Sequence, residues 1–220
     1  MLNKGFFVRW FKAHGRVFPW RKEDTSPFAF LITEMLLRQT RAIVVAKLWE
    51  QVTGKYPEAK TVAEASGEEL INDLKVLGLG NQRAKALREA SRWLIQHHGG
   101  QVPSQLEELL KIPHVGDYAA RAVMCFAFGQ RVEIVDTNVL RLFSRYHGQV
   151  LIPDIRCNPK VWQWARELLP RERKKAPQHN YGLLDFTADV CKPGRPHCEI
   201  CPLVSSCTWG RKHLDKSELP

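Results

Sequence analysis

Residues 111–138, KIPHVGDYAARAVMCFAFGQRVEIVDTN, open on a Pro-His-Val-Gly turn and close on an acidic residue that follows an apolar, strand-like run. From Leu109 to Val123 the pattern reads as helix, a tight turn at Ile112-Pro113-His114-Val115-Gly116, then a second helix. Gly116 has no side chain, so the backbone amides of the turn can come close to a phosphate. The start of the next helix adds partial positive charge behind them. Read from spacing, the segment is either such a grip or a plain helical corner.

Apolar residues recur at helical spacing in the flanking segments as well. The expected helices run Phe28 to Leu37, Ala42 to Tyr56, Glu68 to Val76, Gln82 to His97, Gln105 to Lys111, Tyr118 to Phe128, Thr137 to Tyr146 and Val161 to Leu169. Breakers separate them, among them Gly54 with Pro57, Gly78-Leu79-Gly80, Gly99-Gly100 with Pro103, Gly129, Gly148 and Pro170. The fold class expected is all-α. At 220 residues and 44% hydrophobic content the chain can bury a full core, as one large or two small domains. No stretch has the ~18 uncharged apolar residues of a membrane span, and the first residues lack a secretory signal's apolar core. A cytoplasmic, nucleoid-associated location is expected, with no membrane partner.

The net charge of +10 fits an anionic partner such as nucleic acid, and its distribution is uneven. Residues 1–23 carry +5, residues 24–135 sum to zero and residues 136–220 carry +5. Twenty residues beyond Gly116, Asp136 stands in Val-Glu-Ile-Val-Asp-Thr-Asn-Val, at or just before a helix start. Helix dipole and free amides there favour a carboxylate. By position alone a simple N-cap, the commonest role for such residues, is the first reading of Asp136 or Asn138. Of six cysteines, Cys125 lies in an apolar run and Cys157 in a loop, whereas Cys191, Cys198, Cys201 and Cys207 bunch near the C-terminus. With no signal peptide, that bunching points to metal rather than disulfides, and by spacing to either zinc or an iron–sulfur cluster.

The hairpin with its Gly, an Asp twenty residues later and the cysteine group together resemble the helix-hairpin-helix DNA glycosylase superfamily of endonuclease III and MutY. The resemblance covers most of the chain. Val17-Phe18-Pro19-Trp20 looks like the Leu-Pro-Trp signature of the MutY branch, and Thr33-Glu34-Met35-Leu36-Leu37-Arg38-Gln39-Thr40 resembles its Ser-Glu-Val-Met-Leu-Gln-Gln-Thr helix. The stretches Leu79-Gly80-Asn81-Gln82-Arg83-Ala84 and Ala122-Val123-Met124-Cys125-Phe126-Ala127-Phe128-Gly129 are most similar to MIG-type thymine-DNA mismatch glycosylases.

The resemblance implies an enzyme that flips a base out of double-stranded DNA and cleaves its glycosidic bond. Asp136 would stabilise positive charge on the sugar or orient water, and Glu34 would assist departure of the base. Tyr118 stands where lyase members carry an imine-forming Lys, which implies a monofunctional hydrolase; Lys111 near the turn is the remaining amine. Arg38, Gln39, Asn81 and Gln82 fall on the segments that fill the gap and read the opposite base, and His114, Val115 and Gly116 on the phosphate grip. Cys191, Cys198, Cys201 and Cys207 match the family's [4Fe–4S] spacing, with a structural role. A helical barrel over residues 24–135, a cluster-bearing domain from residues 1–23 and 136–220, a catalytic cleft between them and a monomeric state are implied.

Thymine or uracil opposite guanine is the expected target. Adenine opposite guanine or 8-oxoguanine stands second, since Arg38 and Asn81 depart from the MutY set and no further domain is expected after Pro220. A non-catalytic mismatch-binding protein is the alternative of another class. His114 breaks the pattern: most members have Gly there, where the backbone can need a left-handed turn. Either the turn adjusts or His114 adds a phosphate contact, with DNA gripping weakened but retained.

Overall fold

The computed structural model describes residues 2–213, and all regular structure among them is helical. Twelve α-helices follow in order: α1 (Phe6–His14), α2 (Pro27–Leu37), α3 (Ala42–Lys55), α4 (Ala59–Glu64), α5 (Gly67–Leu74), α6 (Gly80–His98), α7 (Leu106–Leu109), α8 (Asp117–Ala122), α9 (Thr137–His147), α10 (Pro159–Leu168), α11 (Ala176–Asp189) and α12 (Thr208–His213). A π-helical turn, Val123–Ala127, continues α8. Two compact units arise: a terminal one, Met1–Arg16 with Gly129–Pro220, and a middle one, Val17–Phe128.

The middle unit is built around α2. Ser26 Oγ accepts from Ala29 N at 3.1 Å, Pro27 occupies the first turn, and every residue from Phe28 to Leu36 is buried. A helix apolar on all sides belongs at the centre of a bundle, and α2 packs against α3, α6 and α8. Trp49 on α3 donates Nε1–H to Thr33 Oγ1 at 2.6 Å, which in turn donates to Ala29 O, so the polar atoms of this dry contact are satisfied.

The terminal unit brings Phe7 from α1 together with Val139, Leu142 and Phe143 from α9, Val161 and Ala165 from α10, and Leu183 and Phe186 from α11. Helices α1 and α11 approach so closely that a Cβ on Gly182 would lie 2.0 Å from Phe7 O, which only glycine avoids. Phe6, Phe7 and Trp10 meet the Phe186 ring edge-on at 5.6, 5.8 and 5.0 Å. Asp185, fully buried, accepts from Arg16 N at 2.9 Å and Nε at 2.7 Å and fixes the end of the N-terminal arm.

The division of the chain follows contacts rather than charge. The sequence reading cuts at 23/24 and 135/136; the units divide at 16/17 and 128/129. Buried Trp20 and its short helix pack on α2 and α3, which draws residues 17–23 into the middle unit. Residues 129–135 are held in the terminal unit, where Arg173 donates to Gly129 O, Asn180 to Val132 O, and Arg166 pairs with Glu133. The strand-like run at 131–135 is no strand. It has no pairing partner among the described residues, and Asn180 Nδ2 satisfies the Val132 carbonyl at 2.9 Å in place of a ladder.

The expected helices are all present, with ends moved by a residue or two, except that α8 stops at Ala122 and gives way to the π-helical turn and α7 is a single turn. Helices α1, α4, α11 and α12 were not anticipated. On α11 the buried side carries His179, Asn180, Asp185 and Thr187, so its inward face does not read as apolar. Among the described residues no helix is long and apolar enough to cross a membrane.

Candidate functional site

Three turns of the middle unit surround a cavity of about 340 Å³: that after α2 (Arg38, Gln39), that before α6 (Leu79, with Gln82 just inside the helix), and the hairpin before α8 (His114). Gln39, Leu79 and His114 have φ of 56°, 54° and 66°. They are the non-glycine left-handed residues among the described ones, and each lines this cavity. The hairpin therefore keeps the left-handed turn with a His in it. His114 Nε2 meets Glu89 Oε2 at 2.5 Å, and this hydrogen bond is the chief reason the Glu89 carboxyl lies below its ordinary range. Arg38 donates from Nη1 to His114 O at 3.2 Å.

Val115 is buried and its amide closes the turn onto Ile112 O at 3.1 Å. Gly116 has an ordinary φ of −96°, a Cβ there would meet open space, and its amide has no partner among the described residues. Neither strain nor internal packing requires glycine at that point. Asn81 begins α6 beside Gln82 but does not line the cavity. Tyr118, half-buried, lies in the first turn of α8, where Asp117 and Arg121 pair at 2.9 Å. Lys111 is tied to Glu108 at 2.7 Å on the surface.

Glu34 lies inside α2 with 7% of its surface exposed. Its carboxyl has no hydrogen-bond partner among the described residues, and burial alone pushes its pKa up to about 8. Burial thus favours its protonated form.

In the terminal unit Asp136 is the N-cap of α9. Its Oδ1 accepts from Asn138 N at 2.9 Å and Val139 N at 2.7 Å, and Oδ2 accepts from Asn138 Nδ2 at 2.7 Å. Asn138 Oδ1 accepts from Arg141 Nη1 at 2.7 Å. Arg141 also donates to Cys191 O at 2.8 Å and Thr187 O at 3.0 Å. One chain of hydrogen bonds thus runs from the cysteine segment to the Asp136 carboxylate.

Cys191, Cys198, Cys201 and Cys207 line one cavity with Leu142, Tyr146, Phe186 and Trp209. Arg145 Nη1 donates to Cys191 Sγ at 3.6 Å and Gly210 N to Cys207 Sγ at 3.4 Å. Burial pushes the Cys201 thiol up to about 12 and raises Cys198 and Cys207, with the neighbouring sulfurs adding to the effect. Among the described residues no group of three or more His, Cys, Asp or Glu side chains is placed to hold a metal ion.

Sequence reading did not single out Arg83 or Arg141. Both lie within or beside quoted motifs, but an Arg in a helix looks solvated until its acceptors are known.

The family model for the HhH-GPD superfamily base excision DNA repair proteins matches residues 32–155. The chain is 38% identical over 198 residues to the thymine/uracil-DNA glycosylase of Methanothermobacter thermautotrophicus, covering 90% of this chain and 88% of that one. It superposes on a solved thermostable thymine-DNA glycosylase with a TM-score of 0.88 at 35% identity, covering 95% of each chain. On the protein of a non-covalent endonuclease III–DNA complex the TM-score is 0.79 at 26% identity, covering 96% of this chain and 98% of that one. With the hairpin, the buried acid and the capped Asp136 at the matching stretches, this chain belongs to the HhH-GPD superfamily of base excision DNA repair proteins.

Proposed function

We propose that the protein is a monofunctional DNA glycosylase that hydrolyses the N-glycosidic bond of thymine or uracil mispaired with guanine and leaves an abasic site. The observation that carries the reaction is Asp136, whose carboxylate is held in one orientation by three N–H donors at the start of α9. The likeness to the thymine/uracil-DNA glycosylase supports the substrate.

Cleavage sends the bonding electrons out with the base and leaves positive charge on the sugar. The Asp136 carboxylate stabilises that charge and accepts a proton from the water that adds to C1′. Glu34, kept protonated by burial, donates to the departing base. Tyr118 cannot form an imine, so no lyase step follows. Gly116, with its open amide, grips a phosphate together with the left-handed His114 turn, while Val115 anchors the turn from inside. Arg38, Gln39, Asn81 and Gln82 fill the gap left by the flipped base and face its former partner. The units of the chain correspond to a helical middle domain and a cluster-bearing terminal domain.

The four cysteines would hold a [4Fe–4S] cluster. All four line one cavity, as the ligands of a single group must, and two of the sulfurs accept N–H bonds. When bound, the cluster supplies a covalent brace to a segment with little apolar material. Cys191 places its carbonyl on Arg141, and Arg141 holds Asn138 against Asp136.

The test is a panel of G·T, G·U, A·G, A·8-oxoguanine and thymine glycol duplexes, each scored with and without alkali. Breaks at G·T and G·U that need alkali are expected. Breaks without alkali would identify a lyase, breaks at adenine a MutY-like enzyme, and intact duplexes that still bind a mismatch reader.

A further inference from the structure

Arg83, at the start of α6, is 7% exposed and meets no carboxylate among the described residues. All its partners are neutral oxygens. Nε donates to Gly78 O at 2.9 Å, Nη1 to Leu36 O at 3.0 Å and Met35 O at 3.3 Å, and Nη2 to Arg38 O at 2.8 Å and Thr40 Oγ1 at 2.5 Å. The carbonyls of residues 35–38 are the orphan acceptors at the C-terminal end of α2, where the helix dipole favours a cation. Gly78 belongs to the other turn. Thr40 is a second strap: its hydroxyl accepts from Arg83 and donates to Leu77 O at 3.3 Å.

A buried cation is a costly way to fill a core, and an apolar side chain of similar size would stabilise a bundle as well. What the planar fork does that no apolar residue can is bind two turns at once. Those turns carry Gln39 and Leu79, whose left-handed backbones persist only where the surroundings over-determine them. We infer that Arg83 is a positioning residue for base opening: with Thr40 it locks the 38–40 and 78–80 turns into one rigid element, so that Gln39 and Gln82 enter the duplex together. The inference rests on the proposed reading of these turns as the gap-filling segments.

The test places 2-aminopurine beside a G·T mispair and records its fluorescence at saturating protein, alongside the single-turnover excision rate, the duplex Kd and the melting temperature. For R83K and R83Q the fluorescence rise is expected to be lost and the saturated rate to fall roughly 100-fold, with Kd changed less than about threefold. Lysine does not rescue, because a point charge cannot hold five acceptors in a plane. T40V, which removes one hydroxyl and leaves Arg83, should show the same pattern at roughly 10-fold, and keeps the test open if the Arg83 variants fail to fold.

Normal opening in folded T40V and R83K, while Q39A and Q82A are defective, would overturn the positioning role alone. Normal opening in Q39A and Q82A would instead remove the gap-filling reading. A fall in rate with an unchanged fluorescence rise would show that Arg83 acts after opening, and this too overturns the inference.

Discussion

The two units hold their key carboxyl groups by opposite means. In the terminal unit Asp136 is solvated by protein: three N–H donors meet its two oxygens, and Arg141 steadies the donor side chain. In the middle unit Glu34 is given nothing, and burial alone raises it to about 8. In the proposed reaction the same functional group serves as an oriented acceptor in one place and a proton donor in the other. Charge is divided as unevenly. The terminal unit carries +9 and the middle unit +1 of the total +10. The excess positive charge thus lies in one unit and the left-handed turns in the other.

The largest effect expected is at Asp136. Asn caps a helix about as well as Asp but turns an N–H toward Asn138 Nδ2, so D136N should lose about 1 kcal/mol of stability while single-turnover excision falls at least ~1000-fold. Full activity in D136N would falsify its assignment. Glu34 tests the opposite strategy. Its folded pKa lies above the unfolded value of 4.5, so the folded protein retains a proton that the unfolded chain releases. The stability this contributes is complete below pH 4.5 and lost as pH rises through about 8. Glu34→Gln should therefore flatten the profile, gaining on the order of 3 kcal/mol over wild type at pH 8 and about nothing at pH 4.5. Urea unfolding at the two pH values checks this, and parallel curves would mean that Glu34 is ionised in the fold.

Arg141→Met leaves the Cys191 and Thr187 carbonyls unpaired and frees Asn138, at a cost of about 2 kcal/mol. Excision by the folded variant should fall further than its stability loss accounts for, and N138D should not restore it. The charge division makes a smaller prediction. Replacing Lys174 and Arg171 with Gln in the terminal unit should reduce the slope of log Kd against log salt by about 0.9 for each phosphate contact removed, whereas Lys47→Gln and Lys60→Gln in the middle unit, away from the cavity, should leave it unchanged. Equal losses would erase the distinction. Smallest is His114→Gly, which removes the left-handed penalty of roughly 1–2 kcal/mol and loses an exposed pair worth up to about 1 kcal/mol. A net change under about 1 kcal/mol is expected by thermal melting, so a weaker Kd for duplex in this variant would identify a direct contact from the imidazole.

Much of this was legible in the residues. Period and breakers located the hairpin, α2, α6 and α9, because each has a capping or turn residue beside an apolar stripe. Asp136 was placed at a helix start because Asp-Thr-Asn after an apolar run has few other uses. The left-handed setting of position 114 was legible from the pattern it breaks, and its φ of 66° shows the turn kept rather than adjusted. Helix α11 was hidden, since polar residues on its buried side find partners in distant segments.

The sequence by itself determined the helical class, the hairpin, the capped Asp136 and the cysteine spacing, all of which depend on neighbours within a few positions in the chain. The fold settled what depends on long-range contact: that Glu34 is buried with its pKa raised, that residues 17–23 and 129–135 join the units they do, and that Arg83 and Arg141 are clamps. The physical reason is that periodicity encodes which face is apolar, whereas desolvation and hydrogen-bond geometry depend on residues 40 or more positions away, as the 45-residue separation of Arg83 from its acceptor at Arg38 illustrates.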